Sequence, residues 1–334
     1  KLEGNYRLND NYNLVASYED KNQDRTVPVR LNGTPKDFIV PFRKKLDERT
    51  SRIELRRSLS ETMNGSISWQ HADRSGGRYQ LATVTDDTGG GLADMRNITN
   101  PMSVADRKRN KLRGVFDWAP TEALSLQVAV EESRDRYDND APRSFGLDRG
   151  EARLLSLDAS YTLSDKIKLT AWYAYDRTRA EQRAYRSAGS GGNQPAVKDY
   201  DLVDTGHSFG AGIRAEASSS LHLGGDLEIT RHVSKFGQDI TPLAGGAPAA
   251  EAGFNTGVGN IHSNSLRLSL FASYALSKES NLRFDFIHSR WKTDDWTWTF
   301  ANGNPLVDAG GSTYLVDPKE VENFFGMRYV YKFQ

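Results

Sequence analysis

Acid–base, nucleophilic and metal chemistry need histidine, carboxylate, serine or cysteine side chains held close together, and this chain spreads them apart. It has no cysteine, which excludes disulfides, thiolate metal sites and covalent haem attachment by the chain itself. Its six histidines do not converge. His71, His207 and His288 fall near the far ends of alternating apolar stretches, and His222 falls beside a turn. No Glu-spaced metal pair or nucleophile elbow is read beside them. Asp135, Asp138 and Asp140 form an acidic cluster able to bind Ca²⁺ weakly, but their setting reads as a solvated loop. Gly89-Gly-Gly91 and Gly189-Ser-Gly-Gly192 read as loop tips rather than phosphate cradles, because no helix follows either. The chain is therefore read as having no catalytic residues, no metal site and no enzymatic activity.

What remains is charge of both signs in a fixed pattern. Arg52, Glu54, Arg56, Lys111, Arg113, Asp117, Asp158, Lys168, Arg214, Asp226, Glu228, Arg267, Arg283, Asp285, Arg328 and Lys332 alternate with mostly apolar neighbours. A strand sends successive side chains to opposite faces, so each such stretch has one charged face and one apolar face. The last segment shows it well. Phe325, Met327, Tyr329, Tyr331 and Phe333 share one parity, and Arg328 and Lys332 fall on the other with Phe324, Gly326 and Val330.

The elements that carry this pattern are hairpins. Leu2 to Leu8 meets the turn Asn9-Asp10-Asn11, and Tyr12 to Tyr18 returns. Ile53 to Leu59 turns at Ser60-Glu61-Thr62 into Met63 to Trp69. Leu112 to Trp118 turns at Pro120-Thr121-Glu122 into Leu124 to Val130, and Leu155 to Tyr161 turns at Ser164-Asp165 into Ile167 to Tyr175. His207 to Ile213 turns at Ser218-Ser219-Ser220 into Leu221 to Ile229, and Leu266 to Tyr274 turns at Ser277-Lys278-Glu279 into Leu282 to Phe286. Polar, Gly- and Asp-rich stretches of roughly 12 to 35 residues separate the units, longer than compact soluble domains usually carry. Short turns on one side and long loops on the other are the habit of outer-membrane barrels, whose strands of about ten residues cross the membrane. A propeller would need four strands per repeat, and here each repeat has two.

Composition agrees. The 334 residues are 37% hydrophobic and 10% aromatic, and no run approaches the roughly 18 apolar residues of a membrane helix. Barrel strands escape that test because their apolar residues sit behind a period of two. Lys+Arg and Asp+Glu balance at 44 each, which gives no electrostatic footprint for nucleic acid.

The fold expected is all-β: a transmembrane antiparallel up-and-down β-barrel occupying residues 1–334 as a single domain. Thirteen strands are read. An even-stranded barrel with both ends in the periplasm then needs at least one more strand before Lys1, so the chain reads as the C-terminal part of a larger barrel with its N-terminal strands missing. Tyr6, Trp118, Tyr161, Tyr274, Tyr331 and Phe333 beside the short turns, and Tyr18, Trp69 and Tyr175 near the opposite ends, read as membrane-girdle aromatics. The charged parity reads as the lumen wall. It is either a water-filled surface or one that grips a polar protein, since a dry core would not hold such charges. The loops around Gly89, Gly191 and Gly245 are expected outside the cell.

Several stretches resemble the decahaem-associated outer-membrane porin family, MtrB/PioB. Two are Asp106-Arg-Lys-Arg-Asn-Lys-Leu-Arg-Gly-Val-Phe-Asp-Trp-Ala-Pro-Thr-Glu-Ala-Leu-Ser-Leu126 and Ser156-Leu-Asp-Ala-Ser-Tyr-Thr-Leu-Ser-Asp-Lys-Ile-Lys-Leu169. The others are His262-Ser-Asn-Ser-Leu-Arg-Leu268, Ser289-Arg-Trp-Lys-Thr-Asp-Asp-Trp296 and Gly326-Met-Arg-Tyr-Val-Tyr-Lys-Phe333. The resemblance implies a barrel of about 26 strands in the bacterial outer membrane that sheathes a periplasmic multihaem c-type cytochrome, so that electrons cross on the partner's haems. It implies no cofactor bound by this chain, a surface-exposed multihaem cytochrome as a second partner, and the lipid bilayer outside. Two departures stand out: the family's N-terminal half, often with a Cys pair, is not in this chain, and Gln334 follows the closing aromatic. The reading from the residues alone keeps a diffusion porin or solute channel as the alternative.

Overall fold

Alternating side chains on both parities, with turn residues between, leave the backbone one economical solution, a ladder of antiparallel hairpins. The computed structural model has that form. It describes residues 1–25, 42–58, 60–77, 79–80, 105–137, 146–186, 196–242, 259–295, 307, 311 and 319–333. The strands are β1 (Leu2–Arg7), β2 (Tyr12–Asp24), β3 (Phe42–Arg43), β4 (Lys45–Ser58), β5 (Met63–Gly76), β6 (Tyr79–Gln80), β7 (Arg107–Thr121) and β8 (Leu124–Tyr137). They continue as β9 (Gly146–Ser164), β10 (Ile167–Arg186), β11 (Ala196–Glu216), β12 (Leu221–Pro242), β13 (Ile261–Ala275), β14 (Ser280–Asp294) and β15 (Lys319–Tyr331). Thirteen of them form one sheet in chain order, each antiparallel to the next. The thirteen strands read from the sequence are these thirteen. The edge strands β1 and β15 do not pair with one another.

The turns are closed by the small polar residues that begin them. Asn9 Oδ1 accepts hydrogen bonds from the Asn11 and Tyr12 amides at 2.9 and 3.0 Å. Ser218 Oγ accepts from Ser220 and Leu221, and Ser277 Oγ accepts from Glu279 and Ser280. Side-chain oxygens that satisfy the turn amides fix the hairpin register locally.

Most strands are longer than the ten residues expected. β10, β11 and β12 run for 20, 21 and 22 residues. Their far halves carry charge on both parities, so alternation fades while the backbone ladder continues. β3 and β6, two residues each, pair in a small separate sheet where the sequence reads only loop. Leu59, the centres of the long loops at Gly89, Gly191 and Gly245, and Gln334 lie outside the described residues.

Burial is mixed: Val15, Leu46 and Tyr137 are buried, but so are charged and polar residues, and large apolar side chains stand outside. The side chains tucked in include Glu54, Ser68, Arg74, Arg107, Ser133 and Asp135, while Ile53, Trp69, Leu270, Phe325 and Met327 stand exposed. Phe325 and Met327 are 77% and 71% exposed. A sheet in water would lose its hydrophobic driving force this way; a sheet whose apolar face meets acyl chains gains it.

Candidate functional site

The register decides which side chains share a face. From β13 outward, Arg267 is opposite Glu228 and Ser269 opposite Asp226, and Arg267 is opposite Ser289 on the other side. Followed through every ladder, the same parity collects Arg52, Glu54, Arg56, Arg113, Asp117, Asp158, Lys168, Arg214, Asp226, Glu228, Arg267, Arg283, Asp285 and Arg328 on one continuous face. Tyr6, Tyr18, Trp69, Trp118, Tyr161, Tyr175, Tyr274 and Tyr331 fall on the other. Phe333 follows β15, with its ring edge-on to Tyr331 at 5.0 Å.

The charged face is organised as local ion pairs. On β4, Glu54 is the acceptor for both neighbours on its face, Arg52 Nη2 at 2.6 Å and Arg56 Nε at 2.8 Å. The Glu54 side chain is only 9% exposed, so its charge is held by those two guanidinium groups rather than by water. Across β7 and β8, Arg109 grips Asp135 with two hydrogen bonds of 2.6 Å, while Arg107 bonds Glu48 at 2.9 Å and lies 3.8 Å from Asp135. Arg74 donates to the Ala105 carbonyl beside this knot. Asp135 is therefore a strand residue with its charge partnered, not part of an acidic loop. Asp138 and Asp140 lie outside the described residues. No group of three or more metal-binding side chains converges among the described residues.

Nearer the turns, Gln127 donates to Asp117 at 2.6 Å and Ser156 donates to Asp158 at 2.7 Å. Asp117, Asp158, Thr170 and Trp172 line a shallow cavity of about 430 Å³. Farther along the sheet, Arg214 donates to Asp226 at 2.9 Å and Arg283 to Asp285 at 2.8 Å. Phe271 lies among them: the Arg283 guanidinium carbon is 4.1 Å and that of Arg214 5.5 Å from its ring centre, a cation on each flank. The ring fits because Gly224 has no Cβ to meet it, and Trp172 covers Gly210 in the same way.

Sequence reasoning missed Phe271 and Trp172, which sit on the charged parity. The available signal is a glycine directly opposite an aromatic, Gly224 with Phe271 and Gly210 with Trp172. It also passed over Gly206-His-Ser-Phe-Gly210, which spells the nucleophile-elbow pattern. These residues lie inside β11, with His207 and Ser208 on opposite faces and no turn to present a serine. His71, His207 and His288 stand apart on the apolar face and bond Asn110, Tyr173 and Asn323.

A long antiparallel meander with an exposed apolar face and a partnered charged face defines an outer-membrane β-barrel wall. Solved structures with this fold include the copper transporter OprC, 11% identical, with a TM-score of 0.54 over 86% of this chain and 41% of that one. The ferric preacinetobactin receptor BauA from Acinetobacter baumannii is 9% identical, with a TM-score of 0.53 over 84% of this chain and 42% of that one. At such identity the likeness concerns the fold alone. The chain belongs to the MtrB/PioB family of outer membrane beta-barrel porins, matching it over residues 1–333. Outer membrane protein MtrB of Shewanella baltica (strain OS185) is 21% identical over 295 residues. That match covers 88% of this chain and 37% of the relative, so the chain spans a little over a third of the relative's length. The protein is thus an outer-membrane, porin-like barrel component, a class that is not enzymatic.

Proposed function

We propose that this chain forms part of a barrel that sheathes a periplasmic multihaem c-type cytochrome and so lets electrons cross the outer membrane. The haem is carried by that partner, and a surface-exposed multihaem cytochrome docks at the outer rim. The observation that carries the proposal is the charged face itself. Arg52, Arg56, Arg214 and Arg283 are already fixed against Glu54, Asp226 and Asp285, and Arg283 against Phe271, which makes much of it a preorganised polar wall. Such a wall recognises a folded polar protein through charge complementarity with little ordering cost. The edge strands β1 and β15 of the thirteen-stranded sheet are not paired with each other, which supports a wider enclosure completed by further strands. Barrels of 16 to 18 strands leave only an aqueous channel, so about 22 or more are needed to enclose a folded plug.

The mixed, self-neutralised charge also favours one other reading, a diffusion porin, because a water-filled wall needs no partner. Purification in mild detergent separates the two. A red complex containing haem stoichiometric with the barrel is expected. A colourless barrel that lets small sugars swell liposomes would overturn the sheath.

A further inference from the structure

We propose that the apolar face carries, just beyond its lipid-contacting band, a binding surface for the phosphates of lipid A in the outer leaflet. The surface lies on β8, β9 and β10. Along β10 that face presents Ile167, Leu169, Ala171, Tyr173 and Tyr175, then changes abruptly to Arg177 and Arg179. On β9, Leu155 is followed by Arg153, Glu151 and Arg149, and on β8, Val130 is followed by Glu132, Arg134 and Arg136. Ile167 to Tyr175 spans about 26 Å along the strand, and strand tilt brings that to roughly 20 Å of membrane depth, close to the apolar band of a barrel. The cations therefore begin where the headgroups begin.

Two pairings point to an anion. Arg177 is directly opposite Arg153, and Arg136 is directly opposite Arg149. Like charges at directly opposed strand positions repel, and nothing in the sheet's own chemistry calls for them. The nearby carboxylates form only long ion pairs with these arginines and leave their N–H donors unbonded. Arg153 lies 3.6 Å from Glu132 and 4.0 Å from Glu151, and Arg149 lies 3.9 Å from Asp148 and 4.0 Å from Glu181, all beyond hydrogen-bond distance. Arg177 makes no ion pair or hydrogen bond among the described residues. On the same face Asp201 holds Arg179 at 2.8 and 2.9 Å and Glu132 holds Arg134 at 2.8 and 3.0 Å, so the loosely held cations are Arg136, Arg149, Arg153 and Arg177. Arg149 and Arg153 are 65% and 45% exposed. Four under-partnered guanidinium groups at headgroup depth fit a bisphosphorylated glycolipid, whose phosphates accept paired N–H donors and separate the arginines' charges. The proposal rests on the orientation in which the long loops lie outside the cell.

The test compares the full chain with an R136Q/R153Q/R177Q variant, purified in mild detergent and checked for heat-modifiable mobility. Bisphosphorylated lipid A, its fully dephosphorylated form and inorganic phosphate are each titrated while the melting temperature is followed. The phosphorylated lipid is expected to raise the melting temperature of the native chain more than the other two. The folded variant is expected to need about tenfold more of it for the same shift. Equal response of the two proteins, or equal response to the dephosphorylated lipid, overturns the proposal, and saturation by phosphate alone reduces it to an ion site. R177C, the only cysteine in its chain, reports orientation separately. Labelling by an impermeant maleimide in intact cells is expected. Labelling only after lysis would place the surface in the periplasm, removing both the proposal and the loop orientation.

Discussion

The two faces of the sheet solve opposite problems with the same backbone. On the apolar face, Leu266, Leu268 and Leu270 need no partner, because acyl chains complete their packing. On the charged face, one residue away, Arg267, Asp226, Arg283 and Asp285 must find partners within the wall, and the last three do so by direct arginine–carboxylate hydrogen bonds. The lesson concerns where stability and specificity reside. The apolar face is tolerant of which apolar residue it holds and intolerant of charge. The charged face is tolerant of small polar changes and intolerant of losing one member of a buried pair.

The largest effect is expected where a charged-face pair is broken at its most enclosed point. Asp135→Ala leaves Arg109 without its carboxylate and Arg107 with Glu48 alone, and removal of one partner from a buried pair costs about 3–5 kcal/mol. Urea unfolding of the purified barrel measures it, and Asp135→Glu should restore part of the loss. Leu268→Arg comes next, at about 2–4 kcal/mol if it meets the membrane near its midplane, and should be seen as lost heat-modifiable mobility. Gly224→Val should cost about 1–3 kcal/mol by overpacking the Phe271 ring, and a compensating Phe271→Ala should recover stability while removing the stack with Arg283. Arg267→Gln should be smallest, below about 1 kcal/mol, because its neighbours Glu228 and Ser289 stay on a polar wall. Equal tolerance at Leu268 and Arg267 would mean the faces do not differ.

Parity was legible in the sequence because it needs no tertiary information. The alternation of Leu266 to Tyr274 and of Phe325 to Phe333 assigns both faces, and the ladders agree with it. Strand ends were not legible. β12 continues to Pro242 through residues that read as loop, because only backbone pairing with β11, invisible in composition, keeps them extended. Phe271 and Trp172 escaped for a related reason. An aromatic on the charged parity makes sense only beside a glycine on the neighbouring strand, and that register comes from the fold. Asp135 read as part of an acidic loop because its partner Arg109 is 26 residues away in sequence. Which charges touch a partner was not legible at all, since a self-neutralised wall looks the same whether it holds water or protein.

The most direct test of the sheath reading is a parity scan of β13 with spin labels on single cysteines at 266 to 270, in a chain that otherwise has none. Collision with dissolved oxygen reports lipid, and collision with a water-soluble nickel chelate reports an open lumen. The account predicts a period of two: labels at 266, 268 and 270 meet oxygen, while labels at 267 and 269 are shielded from both until the partner is stripped away. Free access of the chelate to 267 and 269 in the native complex, or no alternation between the two sets, would contradict it.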